Sequence, residues 1–205
     1  PTRRSSDLVL YNIVDRIYIG HIQGYGDMAL TGVGVTFPII MLIAAFSAFA
    51  GMGGAPLASI QLGKHDYDRA ELILGNSAGL LVIFSVVLTI GFSIFKTPVL
   101  YAFGASETTI QYAESYIGIY LLGTIFVQFA VGLNTFISGQ GEARIAMLSV
   151  LIGAIINICL DPVFIFVFGM GVKGAALATI ISQAVSAAWV IKFLTSKKSV
   201  IRLKA

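Results

Sequence analysis

The chain has 205 residues, 57% of them hydrophobic and only 11% charged, with 13 Lys and Arg against 10 Asp and Glu for a net charge of +3. A soluble domain spends about a quarter of its residues on charge, so this composition excludes a water-facing globule, and its wealth of large apolar residues excludes disorder. A mean hydropathy of +0.91 without a dense basic stripe leaves no nucleic-acid surface, and the single cysteine excludes an internal disulfide framework or a Cys-rich metal site.

What remains is a polytopic membrane protein, an all-α bundle of roughly six spans at about 20 residues each. Residues 1–8, Pro-Thr-Arg-Arg-Ser-Ser-Asp-Leu, have neither apolar nor helical logic. They match the translation of a sequencing-library adapter and are expected to be an artefact. A twin-arginine export signal at Arg3-Arg4 is the alternative, but it should lead into a small-residue cleavage site, and none follows. Residues 9–20 are apolar but too short to span, so they read as the surviving end of a first helix. Residues 28–63 contain no Asp, Glu, Lys or Arg. At about 1.5 Å per residue they exceed the roughly 30 Å of hydrocarbon, with Pro38, the Gly51–Gly54 cluster and Pro56 as expected bends. Further spans are predicted at 72–95, 115–139, 145–168 (interrupted by Asp161-Pro162) and 175–191. Continuous apolar runs, rather than alternation, disfavour a β-barrel. The basic stretch that follows, to Ala205, suggests a piece of a longer gene.

Loop charges orient the bundle. Lys64, Arg69, Arg144, Lys192, Lys197, Lys198, Arg202 and Lys204 fall at one end, against Arg16, Lys96 and Lys173 at the other. The positive-inside rule puts the first group, and the end of the chain, in the cytoplasm.

Ionisable groups at membrane depth cost at least about 2.5 kcal/mol on insertion scales and are functional candidates by default. Asp161 lies deep in the fifth span, and Asn157 precedes it by four residues, on the same helix face. Pro162 lacks an N–H and releases the carbonyl of Ile158. Carboxylate, amide and carbonyl oxygens are hard ligands that suit Na⁺ or a proton; a kinked helix with a paired Asp is the plainer reading. Asp15 is the second intramembrane acid. It either pairs with Arg16 at the interface or faces Asp161 and Asn157 across a polar pocket. The sixth span adds a polar stripe of Thr179, Ser182, Gln183 and Ser186, residue types that also serve helix packing. Met41, Phe46, Phe49, Met52 and Phe126 either line an adaptable apolar cavity or face lipid. Cys159 reads as a small core residue. No nucleophile–base pair or metal-ligand motif appears, so no enzyme activity and no cofactor are expected.

Several segments carry a family resemblance. Tyr11-Asn12-Ile13-Val14-Asp15-Arg16-Ile17-Tyr18-Ile19-Gly20, Leu30-Thr31-Gly32-Val33-Gly34-Val35-Thr36-Phe37-Pro38, and above all Asn157-Ile158-Cys159-Leu160-Asp161-Pro162-Val163-Phe164-Ile165-Phe166 resemble multidrug and toxic compound extrusion (MATE) transporters. The flavour is that of the MepA-like subgroup, over residues 9–205. The resemblance implies a twelve-helix transporter of two six-helix lobes, monomeric when full length, in the plasma membrane. This chain would be the N-terminal lobe, lacking the C-terminal one. It also implies a coupling-ion (H⁺ or Na⁺) site at Asp15, Asn157, Asp161 and Thr179. Amphipathic or cationic small molecules would be the substrates and the bilayer the setting. A lipid-linked saccharide flippase of the same superfamily, or a non-transporting membrane scaffold, are the alternatives. The flippase should show a basic cavity, which these spans lack.

Overall fold

The computed structural model describes residues 16–203. The octapeptide 1–8 and most of the predicted first-helix segment 9–20, Asp15 included, lie outside them. Helix α1 is residues 16–20. It is followed by α2 (Gly26–Gly63), α3 (Tyr67–Ala102), α4 (Ile110–Leu122), α5 (Thr124–Gln128), a π-helical turn (Phe129–Leu133), α6 (Asn134–Gly139), α7 (Ala143–Pro162), a second π turn (Val163–Val167) and α8 (Val172–Leu194). The described residues contain no strand. Four helices are long and apolar enough to cross a membrane, and a fifth span arises if the bent pair 110–122 and 124–139 is one crossing.

The apolar runs become helices because a bilayer offers the backbone no other partner. In α2 the helix continues through Pro38 and Pro56. Its buried face repeats at three- and four-residue steps through Ala29, Val33, Thr36, Ile40, Ile43, Ser47, Ala50, Gly54 and Ala58. At about 1.5 Å per residue it is close to 57 Å long, so it tilts or protrudes. Asp66 caps α3, its carboxylate accepting the Arg69 N–H at 3.1 Å, which satisfies one orphan donor of the first turn. This helix outruns its predicted core of 72–95 at both ends, taking in charged residues such as Asp68 and Lys96.

The predicted fourth span, 115–139, is broken. It bends by 63° between α4 and α5, at Gly123. A Cβ there would collide with Ile180 of α8, so glycine lets two helices approach at the elbow. At the start of α8, Gly171 adopts φ 55°, a conformation that favours glycine.

The packing is concentrated in the pairs α2–α3 and α7–α8, with α4 touching α2, α3 and α8. One core cluster gathers Ile19, Val33, Ile40, Tyr116, Ile117 and Val127. A second, towards the basic end, gathers Leu74, Leu81, Leu133, Phe136, Leu194 and Ile201. The outer surface stays apolar, with Leu72, Ile83, Val87, Ile94, Leu151, Ile155 and Val167 exposed, as a lipid-facing wall requires. Cys159 is exposed on that wall, contrary to its expected place in the core: it sits two residues from Asp161 on a helix whose buried stripe is only one residue wide. After α8 the chain folds back. Ser199 Oγ and the N–H groups of Val200 and Ile201 donate to Gln140 Oε1 at 2.9, 2.9 and 3.3 Å. The Arg202 N–H donates to Glu71 Oε1 at 3.0 Å, and Leu203 N–H to Leu194 O at 3.0 Å.

Candidate cation site

The fifth span brings its polar residues to one face. The buried residues of α7 are Ala146, Ser149, Gly153, Asn157 and Asp161, a repeat of three to four. Asn157 and Asp161 are wholly buried, and Asn157 Nδ2 donates to Asp161 Oδ1 at 3.2 Å. The four-residue spacing makes this bond without bending the helix. Past Asp161, Pro162 ends regular α-helix and the chain widens into the π turn Val163–Val167. Such turns accommodate a missing donor and recur at functional sites.

The facing helix α8 supplies the sixth-span stripe. Thr179, Ser182, Gln183 and Ser186 are all buried. Thr179 Oγ1 donates to Ala175 O at 3.0 Å and Ser182 Oγ to Ala178 O at 2.8 Å, both on their own helix. Ser186 Oγ crosses to α7 and donates to Ser149 O at 2.9 Å. Asn157, Asp161 and Thr179 therefore lie on the mutually buried faces of two packed helices. A carboxylate held there is costly as an isolated ion, and carboxylate and amide side chains bonded to each other offer oxygens of the kind that suit a hard monovalent cation or a proton. Asp15 lies outside the described residues. Its neighbour Arg16 is half-buried, with its guanidinium carbon 5.4 Å from the centroid of the Phe37 ring on α2, a cation–π distance.

Two wholly or nearly buried amides escaped the sequence reading. Gln128 Oε1 accepts from Ser47 Oγ at 2.9 Å, and its Nε2 donates to Ile43 O at 3.3 Å. Asn134 Nδ2 donates to Ala146 O at 3.1 Å. The rule that singled out Asp161, a polar group within an apolar span, applies to both. Of the aromatic and Met candidates, Phe49 and Met52 are exposed and line a groove of about 690 Å³ between α2 and α3 with Leu57, Asn76 and Ser77. That groove is a separate feature, sharing no lining residue with the Asp161 site.

Comparison with known proteins places this architecture. The chain is 28% identical over 193 residues to the multidrug export protein MepA of Staphylococcus haemolyticus, covering 94% of this chain and 42% of that protein. It is 28% identical over 199 residues to MepA of Staphylococcus aureus, with the same coverage. It superimposes on a solved MATE structure in the bent conformation with a TM-score of 0.91 at 30% identity, over 97% of this chain and 44% of that one. An inward-facing multidrug resistance MATE family transporter of the MOP superfamily gives 0.90 at 30% identity, over 96% and 44%. The chain thus spans less than half the length of the relatives it matches. The family profile MatE matches residues 8–163, most of the chain, and with the multi-pass helical bundle described above it shows that this chain belongs to the MatE, or multidrug and toxic compound extrusion, family of membrane transporters.

Proposed function

We propose that this chain forms one lobe of a secondary antiporter that exports amphipathic or cationic small molecules against an inward H⁺ or Na⁺ gradient. The observation that carries the reading is the buried Asn157–Asp161 pair, bonded at 3.2 Å and facing the α8 stripe, in a chain whose relatives are named multidrug export proteins. Asp161, Asn157 and Thr179 bind the coupling cation, and Asp15 completes the set from the first helix. Cation binding neutralises Asp161, which lowers the cost of its burial and lets α1 repack against α7 and α8. Coupling requires that the inward- and outward-facing states differ in cation affinity. One charge crossing 100 mV supplies about 2.3 kcal/mol. The basic end faces the cytoplasm of a bacterial-type plasma membrane, and a second lobe of the same polypeptide, monomeric as a whole, closes the substrate cavity.

A scaffold role predicts that Asn157, Asp161 and Thr179 diverge, whereas two are bonded and all three are buried. Asp161→Asn in the transporter that contains this lobe tests the proposal. Gradient-driven drug efflux from everted vesicles should fall at least tenfold, with the protein still present in the membrane, and Asp161→Glu should retain part of it. Efflux by Asp161→Asn that stays unchanged and gradient-dependent removes the coupling role.

A further inference from the structure

The polar face of α7 does not stop at Asn157. The cross-helix bond from Ser186 Oγ to Ser149 O fixes the antiparallel register of α7 and α8. Four residues outward along α7 from Ser149 is Gly153, and four residues along α8 from Ser186 is Ser182, next to Gln183. One further step brings Asn157 opposite Thr179. In the other direction the Ser149 hydroxyl donates to Ala146 O at 2.8 Å, and the same carbonyl accepts Asn134 Nδ2 of α6 at 3.1 Å. Ala146 is three residues from the start of α7 at the basic end. Polar groups therefore succeed one another along the α7–α8 interface over Asp161 to Ala146, about 22 Å at roughly 1.5 Å per residue.

Three properties distinguish this seam from ordinary helix packing. Every member is at least nine-tenths buried: Ser149 is 1% exposed, Ser182 0%, Gln183 4%, Ser186 4% and Asn134 6%. Purely apolar close packing would use Ala or Gly here, as at Ala146 and Gly153 of α7 and Ala175 and Ala178 of α8. The seam carries no charge below Asp161, since Arg144 at its foot is exposed. And Asn134 Oδ1, at the end nearest the basic loops, is buried without a protein partner. A buried acceptor of this kind is met by water, so the seam ends on a water-seeking oxygen rather than on a closed hydrogen-bond pair.

We infer that this seam is the route by which the coupling cation passes between Asp161 and the basic end of the bundle, inside the lobe and apart from the cavity used by the exported molecule. Neutral hydroxyl, amide and carbonyl oxygens at one-turn intervals suit a proton relayed through waters or a partly dehydrated Na⁺. They are too tightly enclosed for an organic substrate. The inference rests on the coupling role of Asp161 proposed above.

The test uses the transporter containing this lobe, with Cys159 and any other native cysteine changed to alanine, in proteoliposomes. Ser149→Cys, Ser182→Cys and Ser186→Cys, each close in size to the residue replaced, are exposed to Ag⁺ from the basic side, and modification is read as protection from maleimide after denaturation. Leu151→Cys, on the lipid-facing wall, is the control. Modification of all three at least tenfold faster than the control, slowed by excess coupling cation, is the expected result. Rates no faster than the control overturn the route, even if Asp161→Asn abolishes coupling. Fast modification in an Asp161→Asn protein that still couples leaves a hydrated seam but overturns both its coupling role and the proposed function. A Ser186→Val variant adds a functional readout. It should slow cation counterflow at least tenfold while leaving equilibrium drug binding in place, and unimpaired counterflow overturns the route.

Discussion

Among single residues, Gln128 joins parts of the bundle that are far apart in the chain. It is wholly buried at the end of α5, where the chain turns π-helical, and both ends of its amide are bonded to α2. Interhelical hydrogen bonds in membranes contribute about 0.6 kcal/mol on average and up to about 1.7. Gln128→Leu, which keeps the volume, should therefore lower stability by about 1–2 kcal/mol. Gln128→Ala, which adds a cavity, should cost about 2–4 kcal/mol. Unfolding in mixed micelles checks both, and undiminished stability in Gln128→Leu would mean that the bonds to Ser47 and Ile43 contribute nothing. At this scale the sequence was readable where spacing alone decides geometry. Asn157 and Asp161 are one helical turn apart, so their meeting followed from the count. Gln128 and Asn134 were visible as polar residues in an apolar run, but their partners Ser47, Ile43 and Ala146 belong to other helices, and no local pattern names them. The burial of Cys159 was misjudged for the same reason. A small residue in an apolar helix can face either protein or lipid, and only the neighbouring helices decide.

For whole elements, close approach is set by glycine at chosen points. A Cβ on Gly54 of α2 would lie 2.7 Å from Phe136 Cζ and also run into Ser77 Oγ, whereas one on Gly53 would meet nothing within 4 Å. Gly54→Val should push α2 from α3 and α6 and cost about 1–3 kcal/mol. Gly53→Ala should be neutral or gain up to about 1 kcal/mol from helix propensity. Matched thermal melts of the two variants settle the contrast, and similar losses in both would refute it. The segment after α8 is a second element-scale device. With Gln140 Oε1 accepting three donors and Ile201 1% exposed, the folded-back segment should resist trypsin at Lys197 and Lys198. Gln140→Ala should open both bonds to cleavage at least tenfold faster, and cleavage at the same rate in both proteins would show that the catch holds nothing. The long apolar spans were evident from hydropathy, and the basic end from its charges. The elbow at Gly123 was not, because hydropathy runs on unbroken through it. What makes glycine necessary there is Ile180, far away in the chain, whose side chain occupies the space a Cβ would need. The two π turns are equally silent in an apolar run, although Pro162 marks the edge of one.

For the molecule as a whole, the sequence already specified a charge-poor helical bundle, and family membership followed from segments such as Asn157–Phe166. How the helices pair was a question of long-range contact. The docking of residues 195–203 has a mechanical consequence. Their anchors are Gln140, Glu71 and Leu194, so one short segment ties the last turn of α8 to the tip of α3 and the loop before α7. A load on Leu203 is therefore shared among the basic ends of three helices rather than carried by α8 alone. A hinge motion that separated α3 from α8 at that end would first have to break this tether.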